Sequence, residues 1–360
     1  MRAADVAVVG DGIAGLTCAL ACARRGLDVV VVGARSIAAA SRASAGVLAP
    51  SLAARPADDP AQRFLVAARD AWPAWLEALE EETGVRVPLR FGVLELDPPR
   101  GEGSAALPQH SRRLDARELA ELEPALLPGD RPSALLHERD GAVELEPLLA
   151  ALDVALARRK VHRLAAGARA VEGGREGLVV DTPAERIVAR HLVLAGGAWS
   201  GAMSGVSLPP AVRPVAGVTA RIRGAPRLRY VVFGAGGYLV PLSDALLVGA
   251  TSRDVGFDAR IIAEDRGELA AVADALLGSD PSRLGDHRLG FRPMTSDGLP
   301  IIDRDPADER IVHATGYSRN GVLVAPLAAS CVAALVAGER PPASLAPFGV
   351  ARFGPPRASR

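Results

Sequence analysis

The stretch DVAVVGDGIAGLTCALACARRGLDVVVVGARS, residues 5–36, decides the fold of this chain. Residues 6–9 and 29–32 are short runs of Val and Ala, which is typical of buried parallel strands. Between them, residues 16–25 have the apolar spacing of a helix that ends at Gly26. A strand, a helix and a strand in this order predict a right-handed βαβ crossover, the opening unit of a doubly wound sheet.

The turn inside this unit carries the pattern G-x-G-x-x-G. The first glycine permits a tight turn, the second lets the backbone approach a pyrophosphate, and the third lets helix and strand pack closely. The N-terminus of the helix supplies N–H groups and partial positive charge for phosphates. A glycine turn without a ligand is the alternative, but its place between strand and helix favours a dinucleotide site. The residues predicted to line it are Gly10, Gly12, Ile13, Ala14 and Gly15.

The end of the second strand lacks the acid that a dinucleotide site usually has there. Asp or Glu at this place would hold ribose hydroxyls, and Gly33 has no side chain to do so. A glycine followed by an arginine such as Arg35 is also typical of an NADP site that accepts a 2′-phosphate. A solvated loop charge is the plain alternative for Arg35. The N-terminal unit therefore leaves FAD and NADP open.

Charge and composition exclude several function classes. The 360 residues include 42 Lys and Arg and 42 Asp and Glu, so the formal net charge is zero, which argues against nucleic acid as a partner. Cys18, Cys22 and Cys331 make no disulfide framework, and we interpret the first two as small core residues of the predicted helix. The six histidines show no metal-ligand spacing, so we assign no metal.

Two apolar stretches bear on targeting. The stretch that begins at Val6 starts too early for a signal peptide, has no charged leader and is broken by glycines. The stretch 321–337 is close to the length of a membrane span, but Pro326 interrupts it, which favours a buried helix. We expect a cytoplasmic protein without a membrane partner.

The order of elements predicts an α/β protein with two interleaved domains. One is a doubly wound sheet and the other a mostly antiparallel sheet. We expect residues 1–85, 141–212 and 286–360 in the first domain and residues 86–140 and 213–285 in the second. The elements predicted beyond residue 36 are a loop over 36–60, one helical stretch over 61–83, a strand over 90–96, helices over 145–157 and 264–277, a hairpin of 178–182 with 185–189, several strands within 212–258, a strand over 310–314 and a final helix.

Four further motifs resemble one family. Together with the glycine turn they occur in the order found in the D-amino-acid oxidase superfamily of FAD enzymes, and within it the chain is most similar to bacterial glycine oxidases, which are associated with thiamine biosynthesis. The likeness covers nearly the whole chain and is poor over about 98–140. It favours FAD, because NADP binding explains nothing after residue 40. The motifs are SRASAGVLAP (41–50), VLAGGAWS (193–200), GFRPMTSDGLPIID (290–303) and ATGYSRNGVLVAP (314–326).

The resemblance makes the doubly wound domain an FAD-binding, Rossmann-like domain and the other the substrate domain. It places the last helix with its N-terminus at the pyrimidine end of the flavin, where partial positive charge stabilises reduced flavin. Since position 33 has no acid, we expect backbone groups, Arg35, Ser36 or water to hold the ribose. Besides the glycine turn, the cofactor contacts expected are Gly33, Arg35, Ser41, Ser44, Ala45, Gly46, Val171 (adenine side), Gly196, Gly197, Trp199, Arg292, Arg319, Asn320, Gly321, Val322 and Leu323.

The resemblance also implies three catalytic side chains. Arg292 matches the family arginine that clamps the substrate carboxylate, a task that suits a bidentate guanidinium. Tyr238, in GGYLVP, matches the tyrosine whose hydroxyl helps to hold that carboxylate. Arg319 matches an arginine of the RNG stretch at the active site. The plain alternatives are a surface ion pair for Arg292, a half-buried strand tyrosine for Tyr238 and a turn cap for Arg319.

The implied reaction is oxidative deamination of a small amino acid: glycine, a D-amino acid or an N-alkyl glycine. Hydride passes to flavin N5, the imino acid hydrolyses to a 2-oxo acid and ammonia, and O₂ is the expected acceptor, which yields H₂O₂. The alternatives are a dehydrogenase of the same fold, a tailoring oxidase with a bulkier amino acid, and a catalytically silent nucleotide-binding relative. Departures from the family at Gly33, Val218 and 317–318 leave the substrate open, and a homo-oligomer is expected by analogy alone.

Overall fold

A computed structural model describes residues 2–34, 36–52, 54–96, 107–127, 133–174, 177–206, 212–278 and 280–354. The expected cofactor contact Arg35 lies outside the described residues. Within them, the strands are β1 (Arg2–Val9), β2 (Val29–Val32), β3 (Val47–Leu48), β4 (Leu89–Leu96), β5 (Ser111–Asp115), β6 (Ser133–Val143), β7 (His162–Leu164), β8 (Ala170–Gly173), β9 (Leu178–Asp181), β10 (Arg186–Leu194), β11 (Arg213–Ile222), β12 (Val231–Gly234), β13 (Gly237–Pro241), β14 (Leu246–Gly249), β15 (Leu284–Met294), β16 (Ile301–Arg304) and β17 (Ile311–Thr315).

The helices connect these strands. They are α1 (Ile13–Arg24), α2 (Ala40–Ala43), α3 (Pro60–Asp70), α4 (Trp72–Thr83), α5 (Ala116–Leu122), α6 (Leu145–Arg158), α7 (Ala263–Leu277) and α8 (Gly321–Val336). Short 3₁₀ helices cover Gly197–Ala202, Pro281–Arg283, Ala346–Phe348 and Val350–Phe353. None of the helices in the described part of the chain is long and apolar enough to cross a membrane.

The first sheet has the order β16-β17-β10-β1-β2-β7, and its inner strands from β17 to β7 run parallel. Val8 of β1 lies between Val193 of β10 and Val31 of β2. Helix α1 crosses from β1 to β2, as the opening stretch predicts. Antiparallel strands complete this sheet, with β16 beside β17 and β9 beside β10. The predicted α/β class with a doubly wound sheet is confirmed.

Helices α1, α3, α4, α6 and α8 share one hydrophobic core with a face of the first sheet. Pro326 lies inside α8, and most of this helix is buried, which the apolar stretch predicts. Cys18, Cys22 and Cys331 are free thiols within this core. Burial raises the pKa of Cys22 to about 12 and that of Cys331 to about 11, so both thiols stay protonated and act as small core residues.

The second sheet has the order β15-β11-β14-β13-β12-β4-β6-β3, with β5 beside β6. All of its neighbouring strands are antiparallel except β12 and β4. The outer strand β15 pairs with β11 so that Arg292 lies opposite Val215. Both β3 and β15 therefore pair within the second sheet, although the boundaries expected at 85 and 286 place all of β3 and most of β15 in the other domain. The division into domains stays a prediction.

Some local predictions were wrong. The single helical stretch over 61–83 is two helices, because Pro73 cannot donate a backbone N–H and a new helix begins at Trp72. The loop over 36–60 contains α2 and β3. Strand β6 was not predicted, since the charged residues 138–140 interrupt its apolar pattern. The predicted hairpin is correct in kind, with β9 antiparallel to the first residues of β10.

Candidate active site

A cavity of about 1510 Å³ is lined by residues of both sheets. Sites for drug-sized ligands have roughly 300–1000 Å³, so this one is large enough for a dinucleotide together with a small substrate. Most of the residues expected from sequence lie on its wall: Gly10, Gly12, Ile13, Ala14, Gly33, Ser41, Ser44, Ala45, Gly196, Gly197, Trp199, Tyr238, Arg292, Arg319, Asn320, Gly321 and Val322.

The glycine turn forms a cradle that side chains would fill. Gly10 has a φ of +124°, and a Cβ there would lie 2.1 Å from the carbonyl oxygen of Ala195. A Cβ at Gly15 would lie 1.9 Å from the carbonyl oxygen of Gly10, so Gly15 serves the close packing of turn and helix and is not on the cavity wall. The N–H of Ile13 donates to Oγ of Ser41 at 2.9 Å. The first turn of α1 has further N–H groups without partners inside the helix, which suits phosphate binding.

Three other expected contacts are not brought to the cavity wall. A Cβ at Gly46, which has a φ of +72°, would lie 1.9 Å from the carbonyl oxygen of Val143, so the close approach there is to β6. The N–H of Val171 donates to the carbonyl of Ser204 at 2.9 Å. Leu323 is buried, and its carbonyl accepts the indole N–H of Trp72 at 3.0 Å. Each of these residues thus contacts another part of the chain and not the cavity.

The end of β2 shows how the missing acid is accommodated. The N–H of Gly33 donates to the carbonyl of Leu164 at 3.0 Å, which continues the pairing of β2 with β7. A Cβ at Gly33 would lie 2.3 Å from Cγ of Asp11 and 2.8 Å from its Oδ1. The side chain of Asp11 thus fills the space in which an acidic side chain at position 33 would begin. Asp11 was not predicted as a contact, because the pattern treats its position as variable.

Arg292 presents a guanidinium to the cavity. Its Nη1 donates to the carbonyl of Thr251 at 3.1 Å, and a Cβ at Gly217 would lie 2.2–2.4 Å from Nη1, Cζ and Nη2. Burial lowers the pKa of Arg292, Tyr238 opposes this, and the positive charge of Arg319 lowers the pKa further. No carboxylate among the described residues forms an ion pair with Arg292 or Arg319. Two guanidinium groups in one cavity without such a partner favour binding of an anion.

Tyr238 supplies a neutral donor beside these cations. It lies on β13 opposite Gly249 of β14, where an added Cβ would be 2.5 Å from the hydroxyl oxygen. Its ring packs against Phe233 with centroids 5.2 Å apart. Burial raises the pKa of Tyr238, and the charges of Arg292 and Arg319 lower it only in part. The hydroxyl therefore stays protonated at neutral pH and is available to donate to an anion.

A buried network holds Thr251, whose carbonyl fixes Arg292. Thr251 Oγ1 accepts the N–H of Val218 at 3.0 Å and donates to Oδ1 of Asp265 at 2.9 Å. Asp265 also accepts from Nε of Arg253 at 3.0 Å. This network was not predicted from the sequence, because only the pairing of β11 with β14 and the packing of α7 bring its members together.

The GGAWS turn and the start of α8 form the wall nearest the first sheet. Trp199 stacks on Phe257 with centroids 5.3 Å apart and meets Phe291 edge-on at 5.9 Å. Ser200 Oγ and Thr315 Oγ1 are 2.6 Å apart, which ties the turn to β17. Helix α8 begins at Gly321 on the cavity wall, so its N-terminal partial charge acts on this space, as the resemblance implies.

An acid–histidine pair that was not predicted from the sequence also reaches the cavity. Glu95 lines it, and Nε2 of His137 lies 3.2 Å from Oε2 of Glu95. Oγ of Ser111 lies 2.7 Å from Nδ1 of the same histidine. Strand pairing places these residues side by side, since β6 lies between β4 and β5 and His137 is opposite Ser111. Glu95 is also level with Phe233 on β12.

The family departures at Val218 and 317–318 lie deep in the structure. Val218 is fully buried, and its N–H is the donor to Thr251. Tyr317 is 3% exposed, and its hydroxyl has no hydrogen-bond partner among the described residues. Burial raises the pKa of Tyr317 well above its usual value, and the nearby thiols of Cys18 and Cys331 raise it further. Tyr317 and Ser318 lie on the cavity wall, whereas Val218 lies outside it.

The cavity fits FAD as its cofactor. Gly10 and Gly15 keep side chains away from the turn in which a pyrophosphate would lie, and the first turn of α1 offers N–H groups to it. The cavity continues from this turn to Tyr238 and Arg292 of the second sheet, so a cofactor held at the turn can reach the substrate groups.

Comparison with known proteins agrees with this geometry. The family model for FAD-dependent oxidoreductases, termed DAO, matches residues 5–335. The chain is 31% identical over 374 residues to the glycine oxidase of Geobacillus kaustophilus, with 97% of each protein covered. The crystal structure of glycine oxidase from Geobacillus kaustophilus superposes with a TM-score of 0.87 over 98% of this chain and 99% of that chain.

Two more relatives have similar identity. The glycine oxidase of Pseudomonas aeruginosa is 30% identical over 366 residues, with 96% of this chain and 98% of that protein covered. The bifunctional protein ThiO/ThiG of Trichormus variabilis is 30% identical over 379 residues, and this chain spans 55% of its length. The match over residues 5–335 confirms the expected family and FAD as the cofactor, so the chain belongs to the DAO family of FAD-dependent oxidoreductases.

Proposed function

We propose that this protein is an amino acid oxidase that acts on glycine, D-amino acids or N-alkyl glycines. The observation that carries the proposal is the convergence of Arg292, Tyr238 and Arg319 in the cavity, with no described carboxylate paired to either arginine. An α-amino acid brings the carboxylate that this arrangement lacks. The full-length similarity to two glycine oxidases supports a small substrate.

Each of the three side chains has a distinct role toward the substrate carboxylate. Arg292 binds it through two parallel N–H donors, and Tyr238 donates its hydroxyl proton in a hydrogen bond. Arg319 is exposed and adds positive charge at the mouth of the site. Because Thr251 and Gly217 fix the guanidinium of Arg292, the carboxylate is held in one position and the Cα–H bond of the substrate is oriented with it.

FAD would supply the oxidising power when bound in this cavity, as the acceptor of the hydride from Cα. The chain contributes positioning, exclusion of water by the aromatic residues Trp199 and Phe291 of the cavity wall, and the N-terminal partial charge of α8. The substrate amine binds neutral, so this scheme uses no side-chain base. The imino acid reacts with water to give a 2-oxo acid and ammonia, or the alkylamine when the substrate is an N-alkyl glycine, and O₂ is the proposed electron acceptor, reduced to H₂O₂.

The test uses the FAD-loaded protein without air. Glycine, N-methylglycine and D-alanine should each bleach the visible flavin absorbance. Readmitted air should restore it with one H₂O₂ per turnover, together with one ammonia from glycine or D-alanine and one methylamine from N-methylglycine. Bleaching without peroxide in air would instead identify a dehydrogenase. If the flavin is bleached only by bulkier amino acids, the substrate is that of a tailoring oxidase. A flavin that no amino acid bleaches would refute the proposal and favour a catalytically silent relative.

Arg292→Ala examines the role of the clamp. We expect it to keep the yellow flavin and to raise KM for glycine by about 100-fold or more, since the variant cannot form the charge-assisted bidentate hydrogen bonds. Arg288→Ala is the matched control, because Arg288 lies on the same strand but pairs at the surface with Glu146 and Asp286. An unchanged KM in Arg292→Ala would contradict the clamp.

A further inference from the structure

We propose that Asp11 holds the adenosine ribose of FAD, in place of the acid that is missing at the end of β2. This role of Asp11 belongs to the cofactor site and does not depend on which substrate is oxidised. A dinucleotide site usually has an acidic side chain at the ribose hydroxyls, about 20 residues after the glycine turn. Gly33 occupies that place and cannot supply it.

Asp11 and a side chain at position 33 compete for the same space. A Cβ at Gly33 would lie 2.4 Å from Cβ of Asp11 and 2.3 Å from its Cγ. Both distances are too short for non-bonded carbon atoms. The two side chains therefore exclude each other. The sequence alone does not explain why position 33 is a glycine. The structure does, because the absence of a side chain at Gly33 leaves space for the side chain of Asp11.

The carboxylate of Asp11 lies where an acid at position 33 would begin. Oδ1 of Asp11 lies 2.8 Å from the point where the Cβ of residue 33 would be, so the carboxylate occupies the space next to that point. The N–H of Gly10 donates to the carbonyl of Val32 at 2.8 Å, so the turn is fixed against the end of β2 at this point. Asp11 in the glycine turn thus places a carboxylate next to the position where an acid at residue 33 would place one.

Asp11 is also accessible from the cavity. Asp11 and Gly33 both line it, together with Gly12, Ala34 and Ser36. Asp11 keeps part of its surface exposed. A carboxylate that lines the cavity directly beside the phosphate-binding turn is suited to accept hydrogen bonds from the vicinal hydroxyls of the adenosine ribose.

The arrangement also bears on the choice between FAD and NADP. Gly33 followed by Arg35 is typical of a site for a 2′-phosphate, whereas a carboxylate at the ribose repels a phosphate placed there. Asp11 therefore accounts for a glycine at position 33 in an enzyme that uses FAD. We expect the adenosine site to prefer ADP to both 2′-deoxy-ADP and 2′-phospho-ADP.

The first experiment needs no variant. The apoprotein is titrated with FAD, and ADP, 2′-deoxy-ADP and 2′-phospho-ADP are compared as competitors of FAD by the quenching of flavin fluorescence. We expect ADP to compete about tenfold better than either analogue, the worth of one charge-assisted hydrogen bond. Equal competition by ADP and 2′-deoxy-ADP in the native protein would overturn the proposal. Amino acid substrates are absent, so failure of the proposed oxidase activity would not change this result.

The second experiment moves the acid. Asp11→Asn should weaken FAD binding about 10- to 100-fold and abolish the preference for ADP over 2′-deoxy-ADP. Gly33→Glu alone should also weaken FAD binding, because the new side chain collides with Asp11. Asp11→Gly combined with Gly33→Glu should restore both the affinity and the preference. Failure of this double variant to recover them, in a folded protein, would also overturn the proposal.

The control removes an acidic charge at the far end of the same strand. Asp28 is exposed and precedes β2, and its side chain is not on the cavity wall. Asp28→Asn should leave the FAD affinity within about twofold of the native value. An equally weakened FAD affinity in Asp28→Asn and Asp11→Asn would show a general effect of net charge and would count against a direct ribose contact.

Discussion

The guanidinium of Arg292 lies against the Cα of Gly217 on the neighbouring strand. Three of its atoms would be 2.2–2.4 Å from a Cβ at position 217, and its Nη1 bonds the carbonyl of Thr251. Because Gly217 of β11 has no side chain, the guanidinium of Arg292 can occupy this space. A structural glycine on one strand thus positions the proposed carboxylate clamp on another.

The first prediction follows from this contact. Gly217→Ala should displace the guanidinium of Arg292 and raise KM for glycine about 10- to 100-fold, while flavin content stays unchanged. Steady-state kinetics and the flavin-to-protein absorbance ratio measure both quantities. Gly285→Ala is the control, because a Cβ there meets no atom within 4 Å, and it should leave KM unchanged. Equal kinetics in Gly217→Ala and the native enzyme would show that Arg292 does not clamp the substrate.

The second prediction concerns the pH dependence of substrate binding. Because burial raises the pKa of Tyr238 above its ordinary value near 10, its hydroxyl remains a donor through neutral and mildly alkaline pH. KM for glycine should rise only when the pH passes that raised pKa, since the phenolate then repels the substrate carboxylate. Tyr238→Phe should raise KM about tenfold at pH 8 and remove the part of the alkaline rise that belongs to this group.

A pH profile of KM for both proteins makes this comparison. An alkaline rise in KM that is identical in Tyr238→Phe and the native enzyme would exclude Tyr238 as its source. Gly249→Ala offers an independent variant, because its Cβ would lie 2.4–2.5 Å from Cζ, Cε2 and the hydroxyl oxygen of Tyr238. It should raise KM without removing the phenol.

The third prediction concerns Asp265. Burial acts to raise its pKa, but hydrogen bonds from the N–H of Ile262, from Thr251 and from Arg253 outweigh this and hold the pKa below its ordinary value. Such a group contributes stability above the unfolded-state pKa near 3.9, and this contribution is lost as the pH falls through the folded-state pKa. Asp265→Asn should therefore lower the free energy of unfolding near pH 7 and reduce its decline in acid.

Urea unfolding of the two proteins between pH 3 and pH 7 measures this difference. The same variant should also raise KM, because Thr251 carries the carbonyl that holds Arg292. A difference in unfolding free energy that does not change with pH would exclude the titration of Asp265 as its cause.

Local patterns explain which parts of this structure could be predicted. The Val-rich run of β2 pairs with the nearby β1, and Gly15 packs against the carbonyl of Gly10, so contacts close in the sequence favour these elements, and the first βαβ unit formed as expected. The cavity groups Arg292 and Tyr238 were identified only through resemblance, since no period or spacing within the chain relates residues on different strands. The resemblance identified Arg292 and Tyr238 as site residues, but it did not indicate which neighbouring residues hold them in position.

The roles of Gly217, Asp11 and Asp265 could not be predicted for a physical reason. Each acts through contact with a residue brought near by strand pairing or helix packing, such as Arg292 on β15 or Gly33 at the end of β2. A glycine inside a strand or a variable position in a turn has no distinctive pattern of its own. The role of such a residue can be identified only when the neighbouring atoms in the folded structure are known.

The fourth prediction concerns stability away from the cavity. Arg69 of α3 and Asp140 of β6 form a buried ion pair at 2.8 Å, with exposed fractions of 5% and 0%. Asp140 also accepts from the backbone N–H of Ser51 at 3.0 Å and from its hydroxyl at 3.2 Å, so the pair joins a helix, a strand and a loop. Asp140→Ala leaves a buried cation without its full counter-charge, and the free energy of unfolding should fall by about 3–5 kcal/mol.

Replacing both charged residues separates the cost of an unpaired charge from the value of the pair. Arg69→Met combined with Asp140→Leu should recover most of the stability that Asp140→Ala removes, because two apolar side chains of similar size need no counter-charge. Chemical denaturation monitored by tryptophan fluorescence gives the three free energies. If the double variant is as unstable as Asp140→Ala, the bonds to Ser51 rather than the unpaired charge of Arg69 account for the decrease, since the double variant removes those bonds as well.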